Sequence, residues 1–331
     1  MSDLKVAVIG AGDLGQIHAR TWVQVPGVKL IAVADPLAER AQALGEELGV
    51  AWMSDYREAL SQPGINAVSV AVPTCYHREC VEAAIERGCH VICEKPLALT
   101  IADGEAMREA AQQAGVKLAV GFCKRFSRQV ETLRELVQSG AIGRPVLYRH
   151  ISGIEVRPKI WIMDKAKGGG PIIDMLCHYV DQWRVIFASE PVRVKAAGVL
   201  LSAGSPDLPG VDPQLDTFNV SVEYASGDVG CAMMSWGLPR GVMADMQEDC
   251  LGPQGLLKIT GRQITQVTRG GESRVYELEE QIHLRQLTAF AEAVRGERPV
   301  AASVEDGLIA LRVSLAVLQA IETGETIEIR S

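Results

Sequence analysis

Gly10-Ala11-Gly12-Asp13-Leu14-Gly15 is the stretch that decides the fold. Alone, a GxGxxG pattern is weak. Here it follows the apolar run Leu4-Lys5-Val6-Ala7-Val8-Ile9, which reads as a buried strand, and opens a helical pattern through Ile17 and Trp22. Each glycine then has a physical reason. Gly10 permits a tight turn, Gly12 lets backbone approach a pyrophosphate, and Gly15 allows close helix–strand packing. The helix N-terminus, with Asp13 and Leu14, presents N–H groups to phosphates. Asp35 lies 20 residues beyond Gly15, at the end of the next strand, where an acid accepts hydrogen bonds from ribose hydroxyls. The same charge repels a 2′-phosphate, so NAD is favoured over NADP. Asp35 also suits a helix N-cap ahead of Pro36 at N1.

Working outward, the strand–helix rhythm continues. Val28–Val33, Asn66–Val72, His90–Cys93 and Val116–Val120 read as further strands. Helical stripes separate them, at 36–48 through Ala41 and Leu44, and at 76–87 through Cys80, Val81 and Ala84. Thr100 and Asp103 resemble a capping box, and Gly115 ends that helix. Apolar strands alternating with helices imply a doubly wound parallel sheet, an α/β Rossmann domain. Near residue 123 the rhythm changes to strands, from Val146–Ser152 to Arg274–Leu278, with helices at 172–187, 282–294 and 304–322. This predicts an α+β domain with a large, mostly antiparallel open sheet. The expected partition is 1–122 for the nucleotide domain and 123–331 for the substrate-binding and oligomerisation domain. The segment 202–213, rich in Pro, Gly and Asp, reads as a surface loop.

Composition sets the outer bounds. The 331 residues suggest about two domains. An apolar share of 47% is too high for a disordered chain. The net charge of −8 argues against a protein that wraps nucleic acid. The uncharged stretch Ala59–His77 is interrupted by Ser, Gln, Pro, Gly and Asn, so no membrane span is expected. The first residues lack a secretory leader pattern. The eight cysteines form no CxxC pair and read as reduced packing in a cytoplasmic protein.

Chemistry-bearing residues fall at strand ends. Pro73 and His77 follow the 66–72 strand, where the carboxyl edge of a doubly wound sheet lines the ligand crevice. A partly exposed histidine in a first helical turn fits His77 equally well. Cys93-Glu94-Lys95-Pro96 follows the next strand, and a cis Lys–Pro bond is one way to aim that lysine. Further on, Gly168-Gly169-Gly170 feeds a helix with Asp174 and His178 at i and i+4, and Asp181 nearby. A carboxylate and an imidazole one turn apart form an acid–base pair, because histidine titrates near neutral pH. A metal site from these three residues and a purely structural helix are the alternatives, and no metal is expected.

Together these residues resemble the Gfo/Idh/MocA oxidoreductases (glucose-fructose oxidoreductase, inositol dehydrogenase and rhizopine catabolism proteins). The likeness runs from Val8–Gly12 and His18 through Ala34-Asp35-Pro36 and Glu94-Lys95-Pro96-Leu97. It continues with Gly121-Phe122, Arg125-Phe126, Gly168–Asp181, Gly252, Gly255 and Phe290–Val294, and ends at Glu305-Asp306-Gly307. The resemblance implies cofactor contacts from Gly10, Gly12, Asp13, Leu14, Gly15, Asp35, Pro73, His77, Glu94 and Lys95. It implies that Lys95 binds the reacting oxygen, that His178 is the general base, and that Asp174 holds substrate hydroxyls. Arg157 and Trp161 are expected to help shape the pocket for a small polyhydroxylated substrate. The second sheet is expected to form a homodimer or homotetramer. Two other functions share the architecture: glycoside cleavage through transient oxidation, and a non-catalytic NAD sensor.

Overall fold

The computed structural model describes residues 4–329. In chain order the elements are β1 (Leu4–Ile9), α1 (Asp13–Trp22), β2 (Val28–Ala34), α2 (Ala38–Leu48), β3 (Ala51–Met53), α3 (Tyr56–Leu60), β4 (Ala67–Val70), α4 (His77–Glu86), β5 (His90–Cys93), α5 (Ile101–Ala114), β6 (Leu118–Val120) and α6 (Arg128–Gln138). There follow β7 (Leu147–Glu155), α7 (Gly170–Asp174), α8 (Leu176–Phe187), β8 (Pro191–Val199), β9 (Thr217–Tyr224), β10 (Val229–Leu238), β11 (Ala244–Gly252), β12 (Gly255–Thr260), β13 (Gln263–Thr268), β14 (Ser273–Glu277), α9 (Ile282–Val294), α10 (Val304–Thr323) and β15 (Ile327–Glu328).

The chain divides into two compact units. Residues up to Phe126, together with Gln281–Leu308, form the first, and Ser127–Glu280 with the residues from Ile309 onward form the second. The expected partition at 122/123 did not anticipate this return. Its cause is packing. Trp22 of α1 is fully buried, and Leu287, Phe290 and Ala291 of α9 complete the core around it. Trp22 and Phe290 meet edge-on with ring centroids 6.3 Å apart. The apolar stripe of α1 therefore finds its partner some 260 residues later, and no local pattern signals that pairing.

The first unit holds six parallel strands in the order β3-β2-β1-β4-β5-β6, the arrangement of a doubly wound nucleotide-binding sheet. Its central strands are mostly apolar because helices cover both faces; β4 is buried at every residue. The three-residue edge strand β3 and the helix α3 were not foreseen, being too short to show a period. Thr100 caps α5 by accepting the Asp103 N–H at 3.1 Å, and left-handed Gly115 closes the helix, as the sequence predicts.

The second unit holds nine strands in the order β14-β13-β12-β11-β7-β10-β9-β8-β15. All neighbours are antiparallel except β7 and β10. Helix α8 packs closely on this sheet. A Cβ on Gly230 of β10 would lie 2.3 Å from the Trp183 ring, and Phe187 meets Tyr224 at 5.1 Å. The segment 202–213 is more than a surface loop. Leu208 and Val211 join Val156, Met163 and Trp236 in a small apolar cluster, and fully buried Asp216 accepts the Leu201 and Ser202 N–H groups at its base.

Candidate functional site

Strand register brings five residues into one row at the carboxyl edge of the first sheet. Ile9 pairs with Ala34 and Val70, Val70 with Cys93, and Cys93 with Val120. The next residue of each strand is therefore Asp35, Gly10, Ala71, Glu94 and Gly121. Parallel strands share a direction, so every one of these chains turns off at the same edge.

The glycine loop is shaped as its sequence requires. Gly10 has φ +95°, and a Cβ there would meet the Ala71 carbonyl oxygen at 2.4 Å. A Cβ on Gly15 would lie 1.8 Å from the Gly10 carbonyl oxygen. Gly12 differs, since a Cβ there would meet nothing within 4 Å. No neighbour in the fold demands a glycine at that position, which is what a loop open to a bound phosphate looks like. Gly12 is also the N-cap of α1 and has no side chain to cap it, so the helix's first N–H groups face outward beside Asp13 and Leu14. These residues fit a dinucleotide.

Asp35 is buried, and its two oxygens accept the Ala11 N–H at 2.8 Å and the Leu37 N–H at 2.9 Å. It does not cap α2, whose N-cap is Leu37 and which starts at Ala38, so the N-cap alternative is corrected. Instead it ties the glycine loop to the chain after β2. Each carboxylate oxygen keeps a second lone pair for a ribose hydroxyl. Asp35→Ser should weaken NAD binding about 10-fold, the scale of a charged hydrogen bond, and raise NADP binding relative to NAD. Titration calorimetry with both nucleotides checks this, and an unchanged NAD:NADP ratio would remove Asp35 from cofactor selection.

His77 and Glu94 are placed differently from the expectation. The His77 ring is buried between the Val72 carbonyl, 3.0 Å from Nε2, and the Leu97 carbonyl, 3.3 Å from Nδ1. Burial holds its pKa below the ordinary value, so the ring is neutral and its one N–H donates to one of these two carbonyls. The Glu94 carboxylate is turned inward. It lies 3.1 Å from His18 Nε2 and accepts the Lys95 N–H at 3.3 Å. Burial pushes its pKa up, but the His18 hydrogen bond and the nearby Lys95 charge outweigh this, so it stays below the usual carboxylate range. The His77 ring and the Glu94 carboxylate thus lie against the backbone of the loops that carry Pro73 and Lys95. Lys95 itself is half-buried, and the Lys95–Pro96 bond is cis.

In the second unit the triple glycine is a close-approach loop. A Cβ on Gly168 would lie 2.5 Å from the Ile162 Cα, and one on left-handed Gly170 would lie 2.9 Å from the Gln214 side chain. The expected helix 172–187 is broken at Met175 into α7 and α8. The His178 N–H bonds the Met175 carbonyl at 3.1 Å, while the Asp174 carbonyl accepts the Cys177 thiol at 3.2 Å. A thiol takes the place of the backbone donor at the turn between Asp174 and His178. Cys177 is thus buried packing. Asp174, His178 and Asp181 are all buried. Met175 packs against the apolar cluster that also receives Trp161, and the Arg157 guanidinium sits 5.3 Å over the Trp236 ring of that cluster. The expected pocket residues and the Asp174–His178 turn therefore share one local scaffold. Among the described residues no group of three or more His, Cys, Asp or Glu could hold a metal ion, and no helix is long and apolar enough to cross a membrane.

Sequence reasoning did not find the groups behind Glu94. The His18 Nδ1 is 3.1 Å from Ser69 Oγ, which accepts the Trp22 indole N–H at 2.8 Å. His283 of α9 lies 6.3 Å from the His18 ring. Only His18 carried a signal, as an early histidine on α1.

Comparison with known proteins agrees with this geometry. Residues 4–122 match the oxidoreductase family with an NAD-binding Rossmann fold, and residues 130–257 match the GFO/IDH/MocA C-terminal domain. The chain is 30% identical to scyllo-inositol 2-dehydrogenase (NAD(+)) of Bacillus subtilis, covering 98% of this chain and 96% of that one. It is 30% identical to myo-inositol 2-dehydrogenase of Thermotoga maritima, covering 98% of each. Among solved structures, the aldose-aldose oxidoreductase of Caulobacter crescentus is similar, with a TM-score of 0.84, 26% identity and coverage of 98% and 99%.

Proposed function

The chain belongs to the Gfo/Idh/MocA oxidoreductases, and from that premise we propose that it is an NAD-dependent dehydrogenase of a sugar, sugar acid or cyclitol. The observation that carries this reading is the row at the first sheet's edge, where the open glycine loop, Asp35 and the Lys95 segment come off β1, β2 and β5 at one level. NAD, when bound, supplies the hydride acceptor, and the difficult chemistry belongs to it. The protein's part is position and charge.

In this reading Lys95 binds the reacting oxygen and stabilises negative charge on it as its proton leaves. His178 takes the hydroxyl proton in oxidation and returns it in reduction. Asp174 accepts hydrogen bonds from neighbouring hydroxyls and fixes which carbon reacts. Arg157 and Trp161 shape the pocket wall from their cluster. General acid–base transfer of this kind is worth about 10²–10⁴-fold in rate.

Two further statements belong to the proposal. The protein forms a homodimer or homotetramer through the second sheet, whose outer face has a groove of about 530 Å³ lined by Lys195, Asn219, Cys231 and Met233, with Met233 55% exposed. Exposed apolar surface of this kind is a common oligomer contact. The protein is cytoplasmic, which suits eight free cysteines, five of them buried.

Incubating the protein with NAD and a panel of polyols, sugars and sugar acids tests the reading. Stoichiometric NADH with one member of the panel is expected. Sugar released from a glycoside without net NADH would identify the glycoside-cleaving function instead, and NAD binding with neither product a sensor.

A further inference from the structure

We propose that His18 is a positioning residue for Lys95, acting through the buried carboxylate of Glu94. The inference rests on the reading of Lys95 given above. It starts from the order of donors and acceptors. An indole N–H only donates, so Ser69 Oγ accepts from Trp22 at 2.8 Å. The Ser69 hydroxyl then has its proton to give to His18 Nδ1 at 3.1 Å. That leaves the ring proton on Nε2, aimed at Glu94 Oε1 at 3.1 Å. The second Glu94 oxygen accepts the Lys95 N–H at 3.3 Å. Trp22, Ser69 and His18 thus form a directed series of donors into Glu94, and the Lys95 backbone N–H donates into the same carboxylate from its other oxygen.

The surroundings leave this chain little freedom. His18 and Ser69 are fully buried, and Glu94 is 4% exposed. A Cβ on Gly121 would lie 2.4 Å from Glu94 Oε1, so the neighbouring strand end walls the carboxylate in from behind. His283 of α9 closes the far side, its ring 6.3 Å from that of His18. A buried carboxylate of this kind is costly unless it is paired, and removing one partner leaves the other uncompensated. The pair therefore specifies one conformation for the start of the Lys95 loop. At the other end the Leu97 carbonyl packs against the buried His77 ring, 3.3 Å from its Nδ1. A lysine that must place its ammonium against one oxygen gains from a backbone held at both ends, because a displacement of about 1 Å costs roughly 10²-fold in rate.

The test compares His18→Phe, which removes both ring hydrogen bonds, with His18→Gln, which keeps an amide N–H for Glu94. Turnover is followed as NADH formation with myo-inositol, or with the polyol of the panel that gives most NADH. NAD affinity is measured by calorimetry. Separately, lysines are reductively methylated with ¹³C-formaldehyde, and the Lys95 resonance is identified by its loss in Lys95→Ala. His18→Phe is expected to lower kcat about 10²-fold, leave the NAD Kd within about threefold, and shift the Lys95 resonance. His18→Gln is expected to restore most of kcat and the resonance. A kcat within threefold of wild type in His18→Phe, an unmoved resonance, or His18→Gln no better than His18→Phe overturns the proposal. If His18→Phe does not fold, Glu94→Gln is read by the same measures; an unmoved resonance with normal kcat again overturns it. Full turnover in Lys95→Ala would sink the catalytic reading instead, and the resonance still decides the positioning.

Discussion

Lys95→Ala is expected to abolish turnover while the protein still binds NAD. The ammonium is the only cation of the loop that follows β5, and it would face an oxygen that gains negative charge as its proton departs. Removing one such donor typically costs about 10²–10³-fold in kcat. Here the same group also binds the substrate oxygen, so the loss in kcat/KM should reach or exceed the top of that range. The glycine loop and Asp35 lie on other strands, so the calorimetric NAD Kd should stay within a few-fold. Lys95→Arg should recover little, because a planar fork cannot replace a compact ammonium at one oxygen. A near-normal kcat in Lys95→Ala removes the residue from the mechanism.

The second large effect is expected at His178. Alanine there removes the group that accepts the hydroxyl proton, worth about 10²–10⁴-fold near neutral pH. The sign with pH follows from the chemistry. In the wild type, oxidation falls toward acid, because a protonated imidazole cannot take a proton. In His178→Ala that acid limb should flatten, and the residual rate should rise with hydroxide at alkaline pH. Rate against pH at saturating NAD measures both features. A wild-type profile in the variant would exclude His178 as the base.

Much of the cofactor half is legible in the residues. Gly10 and Gly15 are glycines for reasons of local sterics, and those reasons travel with the motif. Lys95 and Asp35 are readable because strand ends in a parallel sheet converge, so position in sequence implies position in space. His77 and Glu94 show where this stops. Both stand at the expected edge, but which way a side chain turns depends on what packs behind it. Glu94 turns inward because His18, on another element, offers it a donor. The helix of Asp174 and His178 shows the same limit. Spacing put the two one turn apart but gave no sign of the break at Met175, where a thiol bond and the cluster that Met175 joins are found.

By itself the sequence determined the class of each half, the order of the strands' rhythm, the glycine loop and the residue types able to do hydride-transfer chemistry. These are local properties, set by periodicity, turn sterics and functional groups within a few residues of each other. The tertiary structure decided that α9 returns to close the first core, that His77 and Glu94 lie against the backbone of the loops after β4 and β5, and that His18 stands behind Glu94. Those contacts join residues far apart along the chain, such as His18 and Glu94 at a separation of 76. A buried polar group is fixed only by the partner that folding brings to it, and that partner has no signature in the neighbouring sequence.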